Sequence, residues 1–181
     1  DGGGMISDAV SAIDFAIAHG AKAINASWGG SACSVTLKGR IQSLIAHNIL
    51  FVAASGNEGI DLELQERFPA SFSFLSQLTI GATGLFNSMG DYSNFGDNVV
   101  HLFAPGTLII STFSPGAMAA LTGTSMATPF VTGTAALIYG AHPNATLTQV
   151  RDTITKSVVV SPQYHNQTQG RLNRTNLLSN F

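Results

Sequence analysis

The chain has 181 residues and a net charge of −2, with 10% of its residues charged against 45% hydrophobic. A disordered tail needs more charge and less apolar content, and a nucleic-acid binder needs a basic excess that a pI near 6.2 does not supply. The lone Cys33 excludes an intrachain disulfide framework and a cysteine-based zinc site. What remains is one compact domain with a sizeable core. No stretch approaches the ~18–20 apolar residues of a membrane span, so neither a membrane nor nucleic acid is an expected partner. The chain opens on Asp1-Gly2-Gly3-Gly4, loop chemistry that reads as the middle of a domain, with no signal-peptide pattern. Asn-x-Ser/Thr triplets at Asn25, Asn144, Asn166 and Asn173 read as chance matches to the glycosylation pattern.

Taken in order, Ser7 to His19 carries Val10, Ile13 and Ile17 at helical spacing, with Ser7 as N-cap and Gly20 as the stop. Ala21 to Trp28 is a short apolar run that predicts a buried strand. Val35 to His47 repeats the helical pattern through Leu37, Ile41, Leu44 and Ile45, and Ile49 to Ala54 is nearly continuous and apolar, as in a strand covered on both faces. Leu78 to Ala82 and Val99 to Phe103 predict two further strands. Strands alternating with helices imply an α/β fold with a mostly parallel, doubly wound sheet. Ile109 to Phe113 and Met118 to Leu121, split by Ser114-Pro115-Gly116, predict a hairpin. Ser125 to Gly140 is apolar nearly all round, with Pro129 in its first turn, and predicts a buried central helix. Thr148 to Val158 is a last amphipathic helix, and a polar tail runs to Phe181.

Two segments carry chemistry. Thr122 to Pro129 places Ser125 at the mouth of the buried helix, where free N–H groups and the helix dipole favour negative charge. A nucleophilic serine suits that position; a simple N-cap is the alternative. Ala53 to Gly59 ends a buried strand, and in open parallel sheets ligands bind beyond the carboxyl ends of strands. Asn57 there could aim a side-chain N–H at a developing oxyanion, or be an ordinary turn residue among glycines.

Together these segments resemble the subtilisin-like serine proteases. Gly123-Thr124-Ser125-Met126-Ala127-Thr128-Pro129 is similar to the nucleophile signature, Ala54-Ser55-Gly56-Asn57-Glu58-Gly59 to the oxyanion-asparagine segment, and Asn25-Ala26-Ser27-Trp28-Gly29-Gly30 to the substrate-flanking strand. Tyr92-Ser93-Asn94-Phe95-Gly96, Ala104-Pro105-Gly106 and Gly170-Arg171-Leu172-Asn173 resemble later markers, in register along the chain. The resemblance implies a serine endopeptidase acting on protein or peptide substrates, with Ser125 as nucleophile and Asn57 in the oxyanion hole. Ser27, Trp28 and Gly29 would flank the substrate backbone. Ala54, Ser55 and Gly56 would form a second wall of the primary pocket, with Phe68, Pro69 and Ala70 near its base. Small walls leave room for a large apolar side chain, and no Asp or Glu is evident at the base.

The family's triad runs Asp, His, Ser, and its Asp-x-Ser/Thr-Gly and His-Gly-Thr motifs do not occur here. None of the five histidines, His19, His47, His101, His142 and His165, matches the catalytic one. The resemblance therefore implies that residues 1–181 correspond to the C-terminal two-thirds of a subtilisin-like domain. The chain alone is expected to be inactive, its partner being the N-terminal segment that carries the triad Asp and His, from the same precursor or a second chain. The strand near Ala21 to Trp28 would then be an exposed sheet edge. No cofactor is required for the chemistry. The family often binds structural calcium, but Asp8, Asp61, Glu63, Asp91 and Asp97 are scattered and show no calcium-loop spacing. An extracellular or secretory setting follows from the resemblance. A non-catalytic module that binds extended peptides is the competing expectation.

Overall fold

The computed structural model describes residues 3–175 and 177. Its elements are α1 (Ile6–Ala18), β1 (Ala23–Ala26), α2 (Val35–Ser43), β2 (Leu50–Ala54), β3 (Gln77–Thr83), β4 (Leu102–Pro105), β5 (Ile109–Phe113), β6 (Ala117–Leu121), α3 (Thr124–Ala141), α4 (Leu147–Lys156), β7 (Val159–Val160) and β8 (Gly170–Arg171). Strands β1, β2, β3, β4, β8 and β7 form one six-stranded sheet in that order, parallel except for the β7–β8 pair, and β5–β6 is a separate antiparallel hairpin.

Alternation along β2 shows why the sheet is covered on both faces. Leu50 and Val52 join β3, β4, α3 and α4 in one core, through Leu78, Ile80, Leu102, Val131 and Ile138. Phe51 and Ala53 join α1 and α2 in another, through Ile13, Leu37 and Ile41. All five residues of β2 are buried, as its unbroken apolar run requires.

Several boundaries differ from the sequence expectation. The first helix starts at Ile6, so Ser7 lies inside it, and Met5 occupies the N-cap without a side-chain bond. Ser34 and Thr146 are the caps that do accept from the backbone, Thr146 in a reciprocal capping box with Gln149. The second helix ends at Ser43 because the Leu44 carbonyl accepts from both His47 and Ile49, turning the chain into β2. The fourth strand is Leu102–Pro105 rather than 99–103, since its register is set by Ile80 opposite Leu102 while Val100 binds back to Gly96. The segment expected as a polar tail supplies β7 and β8 at the far edge of the sheet, organised by buried Asn166, whose side chain bonds both the Gly170 carbonyl and the Gly170 N–H. Residues 176 and 178–181 of that tail lie outside the described residues.

The central helix also departs from expectation. It is not buried all round: Pro129, Gly133, Ala136, Leu137 and Gly140 form an exposed stripe, with Leu137 57% accessible. Its opposite face, from Ala127 through Val131, Ala135 and Ile138, is fully buried. Among the described residues β1 is the edge of the sheet.

Close backbone packing sets the start of α3. Gly123 donates to the Gly106 carbonyl at 2.8 Å. A Cβ at Gly106 would lie 2.5 Å from the Ala82 Cβ and 2.8 Å from the Gly123 carbonyl oxygen. Gly106→Ala is therefore expected to lower stability by about 1–3 kcal/mol, as overpacking does, read from the urea midpoint. Gly39→Ala, at a site inside α2 with nothing within 4 Å, is expected to raise it by about 0.5–1 kcal/mol.

Candidate active site

Ser125 is the second residue of α3. The Thr124 N–H is taken by Asn57 Oδ1 and the Met126 N–H by the Gly123 carbonyl, so the Ser125 N–H between them is a first-turn donor without an intrahelical partner. The Ser125 hydroxyl donates to the Ser27 carbonyl at 3.1 Å, and the Ser27 hydroxyl donates to the Ser125 carbonyl at 2.8 Å. These reciprocal bonds tie the end of β1 to the mouth of α3.

Asn57 is held by a residue that sequence inspection passed over. Its Oδ1 accepts from the Thr124 N–H at 2.8 Å and from the Thr124 hydroxyl at 3.0 Å. Thr124 Oγ1 in turn accepts from the Gly56 N–H at 3.1 Å. A backbone N–H can only donate, so the amide atom facing it must be the oxygen. The side-chain NH2 is thereby turned away from Thr124, and Asn57 lines the same cavity as Ser125. No sequence signal marks this pairing, because the partners are 67 residues apart.

The loop carrying Asn57 is shaped from beneath by Asn94. Its Oδ1 accepts from the Glu58 and Ile60 N–H groups, and its Nδ2 donates to the Ser55 carbonyl and to Glu58 Oε2. Gly56 sits at φ +107, and a Cβ there would meet Asn94 Nδ2 at 2.3 Å, so only glycine fits.

The cavity encloses about 140 Å³. Of the residues anticipated from sequence, Trp28, Gly29, Ala54, Ser55, Gly56, Asn57, Phe68, Ala70 and Ser125 line it. Ser27 stands beside it through its bonds to Ser125. Pro69 is outside the lining; its carbonyl accepts from Gln77 instead. The walls are joined where Gly30 and Phe68 exchange backbone hydrogen bonds at 2.9 and 2.7 Å. Two charged residues, Glu58 and Arg67, also line it. A second, more apolar hollow of about 360 Å³ lies on another side of Ser125, between α3 (Met126, Pro129, Phe130) and the hairpin (Ile110, Leu121).

No histidine lines either cavity. His101 is buried in the sheet, where Nδ1 accepts from the Thr79 N–H at 3.0 Å. Burial, and then the positive charge of Arg151, push its pKa down to about 3. His19 stacks on Phe15, and His165 lies 3.8 Å from Asp97. Among the described residues no three His, Cys, Asp or Glu side chains cluster as metal ligands. Glu63 and Asp61 instead accept backbone N–H groups of Asn98 and Glu63.

A serine hydroxyl in the first turn of a helix and an asparagine amide thus line one cavity. The sequence model of the Subtilase family matches residues 1–177, and the chain belongs to that family. It is 37% identical over 152 residues to subtilisin NAT of Bacillus subtilis subsp. natto, covering 83% of this chain and 39% of that protein. It is likewise 37% identical to a subtilisin of Bacillus pumilus, covering 54% of that protein. The chain therefore spans roughly two-fifths to just over half of these relatives. Its structure matches a prenylagaramide maturation protease with TM-score 0.84 and 28% identity, over 96% of this chain and 67% of that one. A cold-adapted subtilisin-like serine proteinase matches with TM-score 0.82 and 31% identity, over 96% and 61%.

Two outcomes test this geometry. Thr124→Val removes the hydroxyl that both Asn57 and Gly56 use, and is expected to cost about 1–2 kcal/mol of stability, measured by urea unfolding. His101, with its native pKa near 3 against an ordinary 6.5, binds its proton in the unfolded chain first. Stability should rise with pH by up to one proton's slope between those values and lose this contribution as pH falls through them. His101→Gln should flatten that slope in acid-unfolding curves.

Proposed function

We propose that the protein acts as a serine endopeptidase, with Ser125 as the nucleophile and Asn57 Nδ2 and the Ser125 N–H as the oxyanion hole. The observation that supports this reading is the Thr124 clamp: it holds the Asn57 amide oxygen, leaving the NH2 for other partners, in a residue that lines the same cavity as Ser125. An extended substrate would run beside Ser27, Trp28 and Gly29, with the side chain before the scissile bond in the 140 Å³ cavity. Attack by Oγ on the carbonyl carbon forms the C–O bond while a base takes the hydroxyl proton. The oxyanion is held by the two N–H donors, and the proton passes to the departing amine as the C–N bond breaks. Water then hydrolyses the acyl-enzyme by the same proton route.

The base comes from outside the described residues. Ser125 donates to a carbonyl rather than to a histidine, and a serine without a base is a weak nucleophile at neutral pH. We assign the base and its orienting carboxylate to a further segment, from the same precursor or a second chain. That segment would pair with the open edge of β1 and cover the Pro129–Gly140 stripe of α3 and the hollow between α3 and the hairpin. Unpaired strand edges and small apolar helix faces favour such an addition. Residues 1–181 alone are accordingly expected to be inactive. Among the described residues no helix is long and apolar enough to cross a membrane, and an extracellular setting is part of the same proposal. The engaged Ser125 hydroxyl favours one competing function, a non-catalytic module that binds extended peptides.

Labelling with a serine-directed fluorophosphonate separates the two. The complete protein should label and lose labelling in Ser125→Ala, whereas residues 1–181 alone should not label. No labelling of the complete protein would favour the binding module. Asn57→Gly should lower kcat by about 10²–10³ with little change in KM, a magnitude already known for the corresponding donor in subtilisin.

A further inference from the structure

The cavity beside Ser125 has an apolar and small-residue wall, yet a charged pair lines it. Arg67 Nε lies 3.6 Å from Glu58 Oε1, a Coulombic contact too long for a good hydrogen bond. Glu58 is anchored elsewhere, its Oε2 accepting from buried Asn94 Nδ2 at 2.6 Å. The guanidinium's hydrogen bond is from Nη1 to the Glu66 carbonyl at 3.0 Å. A guanidinium carries five N–H donors in a planar fork and no acceptor. The Arg67 side chain is 23% exposed and lines the cavity, within reach of a ligand there.

We propose that Arg67 is a specificity-determining residue, and that this cavity selects side chains ending in a carboxylate or carboxamide, glutamate foremost, immediately before the scissile bond. The assignment rests on the protease function proposed above only in naming which substrate residue enters the cavity. A carboxylate can meet the guanidinium with two parallel N–H···O bonds. An aromatic or aliphatic side chain would strip water from those donors without replacing it. A lysine would meet the Arg67 cation, and Glu58 could bind it only in competition with Asn94 and Arg67. The Glu58 carboxylate opposes an acidic ligand, so removing its charge should sharpen the preference. Gln at position 58 still offers an oxygen to Asn94 Nδ2, which keeps the loop in place.

Calorimetry on the complete protein carrying Ser125→Ala, with peptides differing only at this position (Glu, Gln, Phe or Lys), measures the preference without turnover. The Glu peptide should bind roughly ten- to hundredfold tighter than the Phe peptide. Arg67→Gln in the same background should abolish that ratio, and Glu58→Gln should increase it. Tightest binding of Phe or Lys, a ratio unchanged by Arg67→Gln, or no binding of any peptide would each overturn the proposal. Wild-type kcat/KM for the same peptides separates the two claims: Glu-selective binding without any cleavage leaves the pocket assignment standing and removes the protease function, while cleavage with an apolar preference does the reverse.

Discussion

Everything at the site depends on one pair of hydrogen bonds between Thr124 and Asn57. They join the loop after β2 to the first turn of α3, two elements that converge only in the folded state. The backbone N–H of Thr124 decides which end of the Asn57 amide faces inward, and the Thr124 hydroxyl reaches on to the Gly56 N–H. An exposed asparagine, otherwise free to rotate, acquires one orientation. Preorganisation of this kind makes a donor useful to a short-lived charge, because no reorganisation is needed when the charge appears.

The rest of the fold holds those two ends in place. The β2 strand is buried throughout and pairs in parallel with β1 and β3, so its carboxyl end has little freedom. Buried Asn94 shapes the Ser55–Ile60 loop with hydrogen bonds to three of its residues. On the other side, Gly106 lets the backbone of Gly123 approach closely, and the buried face of α3 packs across the parallel strands. The same scaffold leaves β1 as a sheet edge and one face of α3 in solvent.

Much of this was legible in the sequence, and the exceptions have physical causes. The apolar run of β2, the hairpin split at Ser114-Pro115-Gly116 and the Ser125 helix are local patterns, and local patterns survive in one dimension. Ser125 and Asn57 stand out as candidates in the sequence because each lies at an element end where a ligand can reach backbone N–H groups, and the structure brings both to one cavity. Thr124 escaped because its role is a contact across 67 residues. The exposed stripe of α3 escaped because Gly133, Ala136 and Leu137 look like core residues, and composition does not say which neighbour covers them. The two-residue strands β7 and β8 are too short to show a period. The Glu58–Arg67 pair escaped because the two charges meet only when both loops close around the cavity.

The most direct test is a crystal structure of the complete protein with a peptidyl phosphonate on Ser125. The phosphonyl oxygen should lie roughly 2.7–3.1 Å from both Asn57 Nδ2 and the Ser125 backbone nitrogen, with Asn57 Oδ1 still bound to Thr124. A phosphonyl oxygen directed elsewhere, or an Asn57 amide released from Thr124, would contradict the clamp as the organising feature of the site.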